Sequence, residues 1–291
     1  MDSRLRGYTK KRIGKVFFGS FLNSLSITNW IIIANVIVFF IMFFLIQALG
    51  EESVASLFAL QAKGVFEGKI WTVFTSMFIH FELWHLLANM FSLFFIGNFI
   101  EKLIGKKRFF GLYLIAGIFA GLFYVILSYY FGNSLIGVRL FGTPETYAVG
   151  ASGAIFSLLG LLAVLTPYNS VYLIVGPLVA LVLQSFISAM VSSKGLLSAL
   201  DLILSLYILI SIFSVFSFNE KLRKIAFPVK MRFWMLPIVA IVPLIFVGLF
   251  VDLPIGNSAH VGGLIVGLIF ALYLKRKYKN KTKLISKYFS N

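Results

Sequence analysis

The chain has 291 residues, 60% of them hydrophobic and only 12% charged, with a mean hydropathy of +0.97 and a net charge of +16. That balance excludes a soluble globular enzyme, and the absence of cysteine excludes a disulfide framework, a thiol nucleophile and a cysteine metal site. The positive charge sits in short segments between apolar runs, which orients a chain in a bilayer and attracts anionic headgroups; it does not point to nucleic acid.

In chain order, residues 1–28 carry Arg4, Arg6, Lys10, Lys11, Arg12 and Lys15 against Asp2, and are expected to form a basic cytoplasmic segment. The run at 29–49 is long enough to span and too long for the apolar core of a cleavable signal. Residues 50–82 form a moderately apolar loop whose Leu57–Leu60 and Ile70–Phe74 stretches suit the membrane interface. Spans are expected at 83–100 and 109–131, the latter with Gly117 and Gly121 as a small-residue contact pattern. A loop at 132–149 precedes an apolar helix over 150–166, closed by Thr166-Pro167. Runs at 171–191 and 196–217 follow, then a basic segment at 219–232 and a span at 233–252 holding Pro237 and Pro243. The last span, 257–274, leads into a basic tail at 276–291, expected to be cytoplasmic.

The expected fold is therefore an all-α polytopic membrane protein of about eight spans, with one domain over 29–275. With both termini inside, 22 of the 26 Lys/Arg lie on the inner side, and only Lys63, Lys69, Arg139 and Lys194 lie outside. Six spans plus a shallow hairpin at 171–217 have the same parity and satisfy the same charge bias. We expect both runs to cross, because both are long enough.

Polar chemistry concentrates at one depth. Gly150-Ala151-Ser152-Gly153 sits where a helix begins, so free N–H groups and the positive helix end can stabilise an anion beside the serine. The same small residues also serve helix contacts in bilayers. Counted from the inner basic boundary, Ser152 lies 15 residues up its helix, His260 15 and His85 16, or roughly 22–24 Å. Asn89 is one turn below His85 on the same face. A serine hydroxyl needs a base, which His260 can supply, and His85, Asn89 and the Ser152 N–H can form an oxyanion hole. Gly263 and Gly267 bare one flank of the histidine helix and allow it to approach Gly153 closely. His80 and His85 form a poor metal pair at i, i+5 with no obvious third ligand. Asp201 and Asp252 are the acids near outer span ends, and nothing in their spacing selects either as an orienting group, so the expectation is a Ser–His dyad.

These residues are similar to a known set. Gly150-x-Ser152-Gly153, His80-Phe-Glu-Leu-Trp-His85-Leu-Leu-Ala-Asn89 and Ala259-His260-x-x-Gly263-x-x-x-Gly267, with Glu101-Lys102 at the inner end of the second span, resemble the rhomboid family of intramembrane serine proteases. The resemblance covers about 29–131, 140–167 and 233–275. It implies a six-helix core with two added hydrophobic segments, Ser152 as nucleophile and His260 as base. It also implies His85, Asn89 and the Ser152 N–H as oxyanion hole, and His80 as a structural or water-handling residue. Phe156 occupies the place of a ring packed on the histidine. The implied substrates are transmembrane segments of other proteins in the bilayer, cut near its outer side, with no cofactor. A prokaryotic cell membrane is the expected location. The chain departs from the family in having Trp71-Thr72 where Trp-Arg is usual, and three apolar runs instead of one between the serine and histidine helices. The proline-bearing 233–252 helix is the expected substrate gate. The alternatives are a catalytically silent rhomboid-like protein that binds membrane helices, and a transporter or channel with a polar cavity.

Overall fold

The computed structural model describes residues 25–214, 217, 219–249 and 256–288. Most of the expected basic segment at 1–28, and Asp252, lie outside the described residues. The helices expected from the apolar runs are present, together with short elements the hydropathy does not reveal. Helix α1 (Ile27–Leu49) leads into a segment built from α2 (Glu51–Phe58), β1 (Leu60–Gln61), α3 (Ala62–Phe66) and α4 (Thr72–Thr75). Next come α5 (Leu83–Ile104), with a π-helical turn at Leu93–Gly97, α6 (Lys106–Phe131), the short α7 (Leu135–Phe141), β2 (Tyr147–Ala148) and the serine helix α8 (Ser152–Leu165). After it come β3 (Ser170–Ile174), α9 (Val175–Met190), α10 (Lys194–Ser214), α11 (Glu220–Arg223) and β4 (Pro228–Arg232). The chain closes with α12 (Leu236–Gly248), α13 (Asn257–Lys277) and α14 (Lys279–Tyr288).

Helices α1, α5, α6, α10 and α13 are long and apolar enough to cross a membrane, and α8, α9 and α12 are shorter apolar helices. The fold is thus all-α and polytopic. Its centre is the trio α6, α8 and α13, with α8 buried along most of its length. Glycine makes that centre possible. A Cβ on Gly263 would lie 1.8 Å from the Gly153 carbonyl oxygen, and one on Gly267 would lie 1.9 Å from that of Ser157. The backbones of α8 and α13 are therefore in direct contact, which bulkier residues would prevent. Gly117 and Gly121 of α6 serve a different purpose from the one expected. They receive Met77, Leu60 and Val73 from the 50–82 segment instead of another spanning helix.

That segment is fastened to the loop that precedes α8. β1 pairs antiparallel with β2, Leu60 opposite Ala148, and the Lys63 N–H donates to the Pro144 carbonyl at 2.9 Å. At the end of α5 the Glu101 carboxylate, 5% exposed, caps the start of α1. It accepts from the Ile27 N–H, the Thr28 N–H and the Thr28 hydroxyl at 2.9, 2.8 and 2.7 Å. A buried carboxylate is tolerable here because three donors converge on it.

The run expected as a helix over 171–191 begins instead as a strand. β3 pairs antiparallel with β4 over five residues, from Ser170 opposite Arg232 to Ile174 opposite Pro228. The ribbon closes the base of a helical hairpin, α9 and α10, that packs on itself and on the 220–232 segment. At 16 residues α9 is about 24 Å long, against about 32 Å for the 21 residues of α10. The extra pair of helices is thus an insertion hung from a ribbon beside the core.

Candidate active site

The site is assembled at the first turns of α8 and α13. α8 has 14 residues, about 21 Å, so it is shorter than a hydrocarbon core of about 30 Å. Ser152 is the first residue of that helix, where N–H groups have no intrahelical acceptor. His260 lies in the first turn of α13 and is 8% exposed. Its Nε2 is 2.8 Å from Ser152 Oγ. With the serine hydroxyl donating, the ring proton sits on Nδ1, and no described side chain hydrogen-bonds that nitrogen. Asp201 lies on the α9–α10 hairpin and is not the histidine's partner. The Phe156 ring, one turn along α8, stacks on His260 with centroids 4.1 Å apart and planes 5° from parallel.

Three more groups face the serine turn. Gly150 has φ +117°, a conformation glycine adopts freely, and a Cβ there would lie 2.8 Å from His85 Cε1 and Nε2 and 3.6 Å from Asn89 Nδ2. The imidazole and the amide therefore converge on the peptide just before Ser152. Asn89 is 6% exposed, and its Nδ2 donates to the His85 carbonyl at 3.1 Å, which fixes the amide's direction. His80 lies beneath, 1% exposed, with Nε2 accepting from the Ala151 N–H at 3.5 Å and its ring edge-on to His85 at 4.9 Å. The Gly150 N–H donates to the Ser76 carbonyl at 2.8 Å, tying the serine turn to the 50–82 segment. Ser76 acts through its backbone, so no sequence motif could have marked it. Ala120 of α6 was missed for a similar reason: it is the small seat on which Gly153 rests, 2.7 Å from where a Cβ would be.

Comparison with known proteins was made against this geometry. Residues 67–203 match the family model described as Rhomboid domain. The chain carries a rhomboid domain. It is 36% identical over 138 residues to RHOMBOID-like protein 1 of Arabidopsis thaliana, covering 47% of this chain and 31% of that one. It is 30% identical over 126 residues to Rhomboid protease GluP of Bacillus subtilis, covering 42% and 22%. It is also 34% identical over 74 residues to Inactive RHOMBOID-like protein 8 of Arabidopsis thaliana, covering 25% and 21%. The chain spans less than a third of the length of these relatives. Plant and bacterial proteins both match, so the likeness carries membrane residence without choosing the prokaryotic membrane expected above.

The departure at Trp71-Thr72 is accommodated locally. The Trp71 indole N–H donates to the Leu57 carbonyl at 2.8 Å, and the Thr72 hydroxyl to the Lys69 carbonyl at 2.6 Å. Thr75 Oγ1 donates to the Phe58 carbonyl at 2.7 Å. Three side chains fold the segment onto itself, where an arginine is usual in the family.

Proposed function

We propose that this protein is an intramembrane serine endopeptidase that cuts transmembrane segments of other proteins near the outer side of the bilayer. The observation carrying the reading is the 2.8 Å contact between Ser152 Oγ and His260 Nε2 at the N-terminus of α8. His260 Nε2 takes the hydroxyl proton as Ser152 Oγ attacks the scissile carbonyl carbon. The resulting oxyanion is stabilised by the Ser152 N–H, His85 and Asn89, donors placed before the charge develops. His260 returns the proton to the leaving amine, and a water activated by the same nitrogen hydrolyses the acyl-enzyme. The stacked Phe156 ring favours the transient imidazolium through its π face. His80 holds the Ala151 peptide, and hence the turn on which the nucleophile rides.

Substrates are segments whose helix is weak near the cut, since a fully hydrogen-bonded helix hides its carbonyl carbons. α12 is the gate in this reading: it lies beside α8 and α13, carries Pro243 inside the helix and exposes Ile238, Val242 and Phe246. The test is cleavage of a model transmembrane substrate by protein reconstituted in liposomes. Wild type should cut, and Ser152→Ala and His260→Ala, folded and inserted, should not. Absence of cutting by wild type across several substrates would support the silent, helix-binding reading instead.

A further inference from the structure

Among the described residues, the strongest uncompensated charge lies at the far end of α8 and α13 from the serine. α13 ends in Lys275-Arg276-Lys277, turns at Tyr278, and α14 folds back beneath the inner end of α8. The turn is pinned: Arg108 Nη2 donates to the Tyr278 hydroxyl at 2.9 Å, and its guanidinium lies 4.8 Å from the centre of that ring. Between the three helices opens a cleft of about 640 Å³, within the roughly 300–1,000 Å³ range of small-molecule sites. Its rim is Lys275, Arg276, Lys279 and Lys283, and its wall includes Val164 and Leu272. Residues 275–288 contain no Asp or Glu. Among the described residues the ion pairs are His85–Glu82 and Arg223–Glu220, so none of these four cations has an acidic partner.

Four like charges held around one cleft repel one another unless an anion enters. We propose that this cleft binds the headgroup of an anionic phospholipid, with the phosphate among Lys275, Arg276, Lys279 and Lys283. An acyl chain then runs along Val164 and Leu272. Phosphate recognition alone would suit inorganic phosphate as well. The apolar wall and the position at the inner membrane boundary favour the lipid, since basic clefts there capture anionic headgroups. Because Val164 belongs to the inner end of the serine helix, the lipid packs against the same rigid element that carries Ser152 at its other end.

The test is native mass spectrometry of the full chain released from detergent after equilibration with phosphatidylglycerol or with phosphatidylcholine. Two variants of equal charge change are compared: Lys275→Gln/Lys279→Gln/Lys283→Gln at the cleft, and Lys221→Gln/Lys224→Gln/Lys230→Gln in the other basic segment. Wild type should retain phosphatidylglycerol and not phosphatidylcholine. The cleft variant should retain it roughly tenfold less, a discounted share of what three surface cations contribute, and the control variant should match wild type. Excess inorganic phosphate should not displace the lipid. Val164→Trp, which fills the wall and leaves every charge in place, should also lower retention, and it serves if the triple variant misfolds. Equal loss in both triple variants, undiminished retention in the cleft variants, or displacement by inorganic phosphate would each overturn the proposal.

Discussion

Replacing Gly263 by alanine tests the packing on which the proposed chemistry depends. The added Cβ would sit 1.8 Å from the Gly153 carbonyl oxygen, on the backbone of the residue that follows Ser152. Real Cβ contacts are not found below 3.0 Å, so the two helices must part by about 1.2 Å at that level. Neither side can yield by a rotamer change, because the contact is with backbone. His260 is three residues away on the same helix and its 2.8 Å approach to Ser152 Oγ cannot survive a separation of that size. A misplacement near 1 Å costs about 100-fold in rate, or about 2.7 kcal/mol of transition-state stabilisation. Initial cleavage rates in liposomes, normalised to folded protein, measure this directly. Gly111→Ala is the control, since a Cβ there meets nothing within 4 Å, and it should behave as wild type. A Gly263→Ala protein as fast as wild type would refute the argument that backbone contact positions the pair.

The remaining predictions concern other parts of the same arrangement. Phe156→Ala removes the ring stacked 4.1 Å from His260 and should lower the cleavage rate about tenfold, while Phe156→Trp retains most of it. Glu101→Ala strands three donors at the start of α1 and should cost about 3 kcal/mol, read as a thermal midpoint several degrees lower in detergent. An unchanged midpoint would mean that the cap contributes nothing. Replacing residues 175–227 by Asn-Gly joins Ile174 to Pro228, which already face each other across the ribbon, through a two-residue turn. The shortened chain should still insert with its termini inside and still cut the model substrate; loss of folding would show that the α9–α10 hairpin is part of the core.

The site was legible because membrane helices convert sequence distance into depth. Counting residues from Lys275 and Pro167 placed His260 and Ser152 at one level, and the structure brings them to 2.8 Å. The glycines at 153, 263 and 267 could be read as a close contact for the same reason, since few other residues let backbones touch. Hydropathy failed where strand pairing decided the outcome. Val171-Tyr-Leu-Ile reads as the start of a span, yet its partners are Met231, Lys230, Val229 and Pro228, more than fifty residues away, and no local pattern announces that pairing. α7, over Leu135–Phe141, was hidden in a stretch read as loop, because seven residues are too few to display a helical period. The purpose of Gly117 and Gly121 was likewise out of reach: a small-residue pattern states that something approaches, and Met77 and Val73 come from the 50–82 segment, whose path hydropathy does not trace.

The most direct measurement of the central claim is peptide mapping by mass spectrometry after treatment with a fluorophosphonate, which phosphonylates an activated serine with loss of fluoride. The account predicts a single adduct on Ser152 in wild-type protein, absent from His260→Ala although Ser152 is still there. Labelling of Ser152 that persists without His260, or a wild-type protein that is folded and inserted yet carries no adduct on Ser152, would contradict it.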